Sequence, residues 1–158
     1  MILTTDVAQR FYEVLAADQA LNDWSQAAYG KLPRLRLGVN PRNLPRLEQD
    51  APFVAIRPVS SQGGATDEFR HVLDVILGLA DQRAELAELA GRGLVLPALR
   101  VIEADFARLV LGALAGASPN LDLSEVAGEF DATQYPLVLY GLRITCLVPN
   151  VIGATINL

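Results

Sequence analysis

Apolar positions Val7, Phe11, Val14 and Leu15 recur at helical spacing, with Arg10 and Glu13 on the other side. This pattern predicts a helix over about 5–17. Thr4 and Thr5 are the N-cap candidates, and Asp6 suits the first turn. Asp18 can cap a second short helical segment that carries Leu21 and Trp24 and ends near Gly30. The longest stripe is Leu99, Ile102, Phe106, Leu109, Val110 and Leu114, with Arg100, Glu103 and Arg108 pointing away. Pro97 fits a first helical turn, and Gly116 followed by Ser118-Pro119-Asn120 ends the run, giving a helix over about 97–115.

Other stretches alternate with period two. Leu35, Leu37 and Val39 alternate with Arg34, Arg36 and Gly38, a short edge-strand pattern closed by the turn dipeptide Asn40-Pro41. Phe53 to Val59 reads as a strand that must stop or bulge at Pro58, and Ser60–Asp67, with Gly63-Gly64, reads as a turn. Residues 69–80 fit both periods: Phe69, His71, Leu73, Val75, Leu77 and Leu79 share a strand face, whereas Phe69, Val72, Leu73, Ile76 and Leu79 share a helix face. Gly78 and the hairpin-like position after 53–59 favour the strand. Arg83–Ala90 suggests a short helix closed by Gly91 and Gly93. Residues 125–130 and 135–148 complete the strands. In the last, Val138, Tyr140, Leu142, Ile144, Cys146 and Val148 share one face, and Arg143 marks the other as only partly buried. Because helices and strands do not alternate strictly, the expected fold is α+β: a mostly antiparallel sheet of four strands or slightly more, packed by the N-terminal helix and the long helix. The two helices would cover one sheet face and leave the other for solvent or a partner.

The length of 158 residues fits a single domain over 1–158. Hydrophobic residues make up 51% of the chain while aromatics are only 6%. That excess suggests burial against another subunit, although an Ala/Leu/Val-rich composition with 12 Arg to 1 Lys also fits a GC-rich genome. The net charge of −5 argues against a general nucleic-acid binder. No uncharged apolar run reaches the roughly 18–20 residues of a membrane span, and Met1–Arg10 does not read as a signal peptide; a soluble intracellular protein is expected. Residues 31–46 stand apart, with Lys31, Arg34, Arg36, Arg42 and Arg46 and no acid, inside a Pro-rich arm over 31–50. The arginines of this arm either meet an acidic partner surface or balance local acids. The uncharged apolar tail over 149–158 should dock on its own sheet or on a neighbouring subunit.

Candidate chemistry is sparse. One cysteine, Cys146, excludes an intramolecular disulfide and a multi-Cys zinc site, and one histidine, His71, makes a His-based metal cluster improbable. A nucleophilic Cys146–His71 pair is conceivable, but a mid-strand thiol among Ile144 and Val148 is expected to be buried and inert. The closest acids are Asp67-Glu68, Glu85 with Glu88, Glu103 with Asp105, and Glu129 with Asp131, none of them an evident acid–base or Mg²⁺ site. Gly63-Gly64 and Gly91-Arg92-Gly93 lack phosphate-loop spacing. No catalytic, cofactor-binding or metal residue is therefore assigned, and no enzyme is expected.

The layout resembles the small tail terminator (tail completion, neck–tail joining) proteins of bacteriophages and prophages. The resemblance rests on the helix 5–17, on Leu37-Gly-Val-Asn-Pro-Arg-Asn-Leu-Pro45 ahead of Asp50-Ala-Pro-Phe-Val-Ala-Ile56, and on the strand 69–79, the helix 97–115 and the strand 135–148 in that order. It covers roughly 1–148 and leaves the apolar tail without a counterpart. It implies a non-catalytic virion protein, without cofactor, found in the virion or the bacterial host cytoplasm. Such a protein assembles as a ring, often a hexamer, that caps the tail tube and meets the head connector. It also implies neither a membrane partner nor nucleic-acid sequence recognition. Arg34, Arg36, Arg42 and Arg46 are the expected interface residues. The alternative is another phage-derived adaptor or an intracellular binding module of similar fold, without catalysis.

Overall fold

The computed structural model describes residues 2–38, 46–63, 68–81, 85–86, 94–95, 97–133, 136–149 and 158. Helix α1 (Thr4–Ala17) buries Val7, Ala8, Phe11 and Leu15 completely. Its cap is Leu3 rather than a threonine: the Leu3 N–H donates to the Asp6 carboxylate at 2.7 Å. Thr4 is diverted because its hydroxyl meets His71 Nδ1 at 3.0 Å. Helix α2 (Gln19–Tyr29) starts as expected, with the Leu21 N–H donating to Asp18 Oδ1 at 2.7 Å. It stops at Gly30, whose φ of +69° is a left-handed conformation that glycine adopts without a Cβ penalty.

Strands β1 (Arg34–Leu37), β2 (Phe53–Gln62) and β3 (Glu68–Ala80) follow, with a single helical turn α3 (Leu47–Asp50) between β1 and β2. Residues 69–80 are strand, because β3 is paired on both sides along its length. The expected bulge falls between Pro58 and Ser60, where the ladder shifts register, but β2 resumes and runs on to Gln62. Within the helix expected over 83–90, the described residues 85–86 are not helical. Instead Glu85–Leu86 (β4) pairs with Leu94–Val95 (β5), and the rest of that span lies outside the described residues. Helix propensity there, tenths of a kcal/mol per residue, is easily overridden by a tertiary strand partner.

The long helix runs without a break through α4 (Pro97–Val101), a π-helical stretch π1 (Ile102–Ala107) and α5 (Arg108–Ala115). The wider π turn rotates the buried stripe. Ala98, Ile102, Phe106, Ala107, Val110 and Leu114 face the core, while Leu99 and Leu109, placed in the stripe by a constant helical period, are only half-buried. Strands β6 (Asp122–Ala132) and β7 (Leu137–Pro149) close the chain. Of the apolar tail, Leu158 lies half-buried against the core, and residues 150–157 are outside the described set.

The architecture is α+β, with a five-stranded sheet in the order β1-β2-β3-β7-β6. Only β1 and β2 are parallel; the other three pairings are antiparallel. One face carries Val54 and Ile56, then Leu73, Val75, Leu77 and Leu79, then Val138 to Val148 in alternation, all buried in the main core with α1 and the long helix. Trp24 of α2 stacks on Phe106 of π1, with ring centroids 5.0 Å apart. Arg10 ties α1 to the end of the long helix by donating from Nε and Nη2 to the Ala117 carbonyl at 3.0 and 2.8 Å. No helix among the described residues is long and apolar enough to cross a membrane.

Candidate functional site

The sheet face opposite α1 and the long helix, on which α3 packs, holds most of the organised charge. Paired residues on adjacent strands project to the same side, so the registers define rows across it. One row runs Arg36, Ala55, Ile76, Gly141, Glu129; the next runs Arg57, Asp74, Arg143, Ala127. Two aspartates organise this face.

Asp50, at the end of α3, is buried and accepts from Arg34 Nη1 at 2.6 Å and Arg36 Nη2 at 2.5 Å. The Arg46 backbone N–H adds a third hydrogen bond at 3.1 Å. Burial pushes the Asp50 carboxyl upward, but the hydrogen bonds and charges of the two guanidinium groups outweigh it and hold the group below the usual carboxylate value. Lys31 joins the same corner by donating from Nζ to the Gln49 carbonyl at 3.0 Å. The basic arm thus sets two guanidinium groups, Arg34 and Arg36, on one buried carboxylate, while the Lys31 ammonium and the Arg46 guanidinium bond the neighbouring Gln49. Arg42, the remaining expected interface residue, lies outside the described residues.

Asp74 occupies the middle of the face. It accepts a two-pronged pair from Arg143, at 2.8 Å from Nε and 3.1 Å from Nη2, and a further hydrogen bond from Arg57. The Arg143 bonds, reinforced by Arg57 and opposed by burial, lower its pKa; Arg143 is correspondingly raised by Asp74. Beside this trio lies an open concavity of about 340 Å³, with Glu129 and Asp131 of β6 on its far wall. Of the acid pairs picked out in the sequence, Glu129–Asp131 is the one placed at this concavity. Glu103 instead accepts from the Tyr140 hydroxyl at 3.5 Å on the helix side. Among the described residues, no group of three His, Cys, Asp or Glu side chains is placed to hold a metal ion.

No model of a known protein family and no curated protein matches this chain.

Cys146 and His71 do come together, as directly opposed residues of β7 and β3, but on the helix-covered face. The thiol is fully buried, and burial, helped by the Asp122 carboxylate, pushes its pKa up to about 12. His71 is 1% exposed, and burial lowers its pKa below 6.5 even though Asp6 pulls the other way. A neutral imidazole beside an un-ionised thiol is not an activated nucleophile.

His71 carries a pH prediction. Its folded pKa lies below the unfolded value of 6.5, so the unfolded chain binds the proton first as pH falls. Stability is therefore expected to decline as pH drops from about 6.5 toward the folded pKa, and to gain nothing from this group above 6.5. Asp50 and Asp74 act lower, since their depressed values place their losses below the ordinary carboxylate value of 3.8. Urea titrations between pH 7 and 5 should show this slope in the parent and a flatter one in His71→Gln; equal slopes would exclude the assignment.

Asp50, Asp74 and Arg57 are site residues that did not stand out along the sequence. The usable signal was a lone acid inside the apolar run His71–Leu79 and a lone base, Arg143, inside the run Leu137–Val148.

Proposed function

We propose that this chain is a structural subunit that works by assembling with copies of itself, as a tail-terminator-like ring that caps a phage tail tube and joins it to the head connector. The observation that carries the reading is a sheet with one face packed by α1 and the long helix and the other organised by charge. The helices bury the first face, while the other, on which Phe53 and Ala55 are also buried, presents Arg57 and Arg143 around Asp74; large apolar side chains remain exposed on the edge strands at Leu37, Val126 and Phe130 and beyond them at Leu32 and Val59. Charge organised by buried aspartates, together with exposed apolar groups, suits a surface that must be rigid before it meets a protein partner. The layout resemblance supplies the identity of the polymer; the charged face supplies the reason to assemble. The protein would then reside in the virion or in the host cytoplasm during assembly.

A second reading is favoured by one feature: the concavity beside Arg57, Asp74 and Arg143 fits an adaptor that seats a charged peptide. Size-exclusion chromatography with light scattering, followed by negative-stain imaging, separates the two. Closed rings with a central hole are expected. A monomer at every soluble concentration that also ignores tail-tube protein would overturn the ring and leave the adaptor.

A further inference from the structure

We propose that neighbouring copies meet edge to edge, with β6 of one subunit against β1 of the next, so that their charged sheet faces run on into one another. This inference rests on the ring reading above and names the surfaces that would build it.

Among the described residues, strands β1 and β6 are the two ends of the sheet order, so each offers an edge. Their charges are opposite. Strand β6 carries Asp122, Glu125, Glu129 and Asp131 and no base. The β1 corner carries Lys31, Arg34, Arg36 and Arg46, with Arg34 and Arg36 paired to the buried Asp50, and the Arg34 side chain is 62% exposed.

The registers put these groups where they can meet. Following the row from Arg36 through Ala55, Ile76 and Gly141 leads to Glu129, so the basic and acidic side chains share the charged face. The alternate rows are apolar. Leu35 connects through Val54, Leu77 and Tyr140 to Phe130, placing both end residues on the helix side. Leu37 lies on that side too, and Leu37, Val126 and Phe130 are 47%, 44% and 38% exposed. One side-by-side docking therefore brings arginine to carboxylate on one face and leucine to phenylalanine and valine on the other. Pairing β6 with β6 would oppose acid to acid, and pairing β1 with β1 would oppose base to base, both unfavourable. A contact between two different edges is heterologous, and it closes into a ring where its repeated rotation divides a full turn, whereas any other rotation gives an open filament.

The test uses two blocked variants. Glu125→Lys with Glu129→Lys spoils the β6 edge and leaves β1 intact. Leu37→Glu spoils the β1 edge and leaves the Asp50 ion pairs intact. Each variant alone is expected to lose the ring and elute as a folded monomer, with folding checked by circular dichroism. Mixed in equal amounts, they have one good edge of each kind and should form a heterodimer that grows no further. Phe130→Lys and Arg34→Gln replace either variant if it does not fold. Rings surviving in either variant, a homodimer in either, or a mixture that stays monomeric would each overturn the edge assignment while the parent ring stands. A parent protein that never forms rings would overturn the ring reading as well.

Discussion

Phe106→Ala is expected to lower the unfolding free energy by about 3–5 kcal/mol, the range for deleting a fully buried phenylalanine from a core that relaxes only partly. Phe106 has no exposed surface and sits on the π-helical stretch, whose rotated stripe aims it at the core. Trp24 lies on its ring, with an interplanar angle of 29°. Removing Phe106 thus opens a void and strips the partner from the stacked indole. Because Trp24 is the only tryptophan, its fluorescence reports the site directly. Urea unfolding followed through that signal should shift to a lower midpoint with little change in slope. A loss below about 1 kcal/mol would mean that the helix re-registers to fill the gap, and the π segment would then not fix the packing.

Gly78→Ala is expected to destabilise by about 1–3 kcal/mol, against the usual gain from replacing a strand glycine. Gly78 faces Phe53 directly across the β2–β3 ladder. A Cβ at position 78 would stand 2.1 Å from Phe53 Cε1 and 2.4 Å from Cζ, so the ring lies on the bare glycine backbone. Phe53 is 1% exposed and belongs to the small buried apolar cluster with Ala51 and Ala55 on the face opposite α1, so it has little room to swing aside. The clash and the glycine should be thermodynamically coupled. In a double-mutant cycle, Phe53→Leu is expected to recover part of the Gly78→Ala loss. A neutral or stabilising Gly78→Ala, or a cycle without coupling, would show that the ring is not anchored there.

Much of the fold was readable along the chain because the signals were local. The stripes of 5–17 and 97–115, the cap at Asp18 and the stop at Gly30 each depend on residues within a turn of one another. The strand over 69–80 was the harder choice, since its side chains satisfy both periods; the glycine that tipped the balance is the one on which Phe53 rests. What escaped was set by distant partners. The π turn is invisible to an analysis that assumes a constant helical period. Glu85–Leu86 takes its conformation from Leu94–Val95. The charged face is the largest omission for the same reason: Asp74 and Arg143 are 69 residues apart. The basic arm was recognised as unusual, but its pairing with Asp50 needs α3 folded back onto β1.

The sealed thiol of Cys146 has a practical consequence. With its sulfur interior and held protonated, the folded subunit offers maleimide-type reagents almost nothing to attack. A cysteine introduced on the surface would react alone, without first deleting the native one. Each subunit could then carry a single dye at a chosen point, and distances between dyes around an assembly would reveal how many copies it holds and which way each one faces.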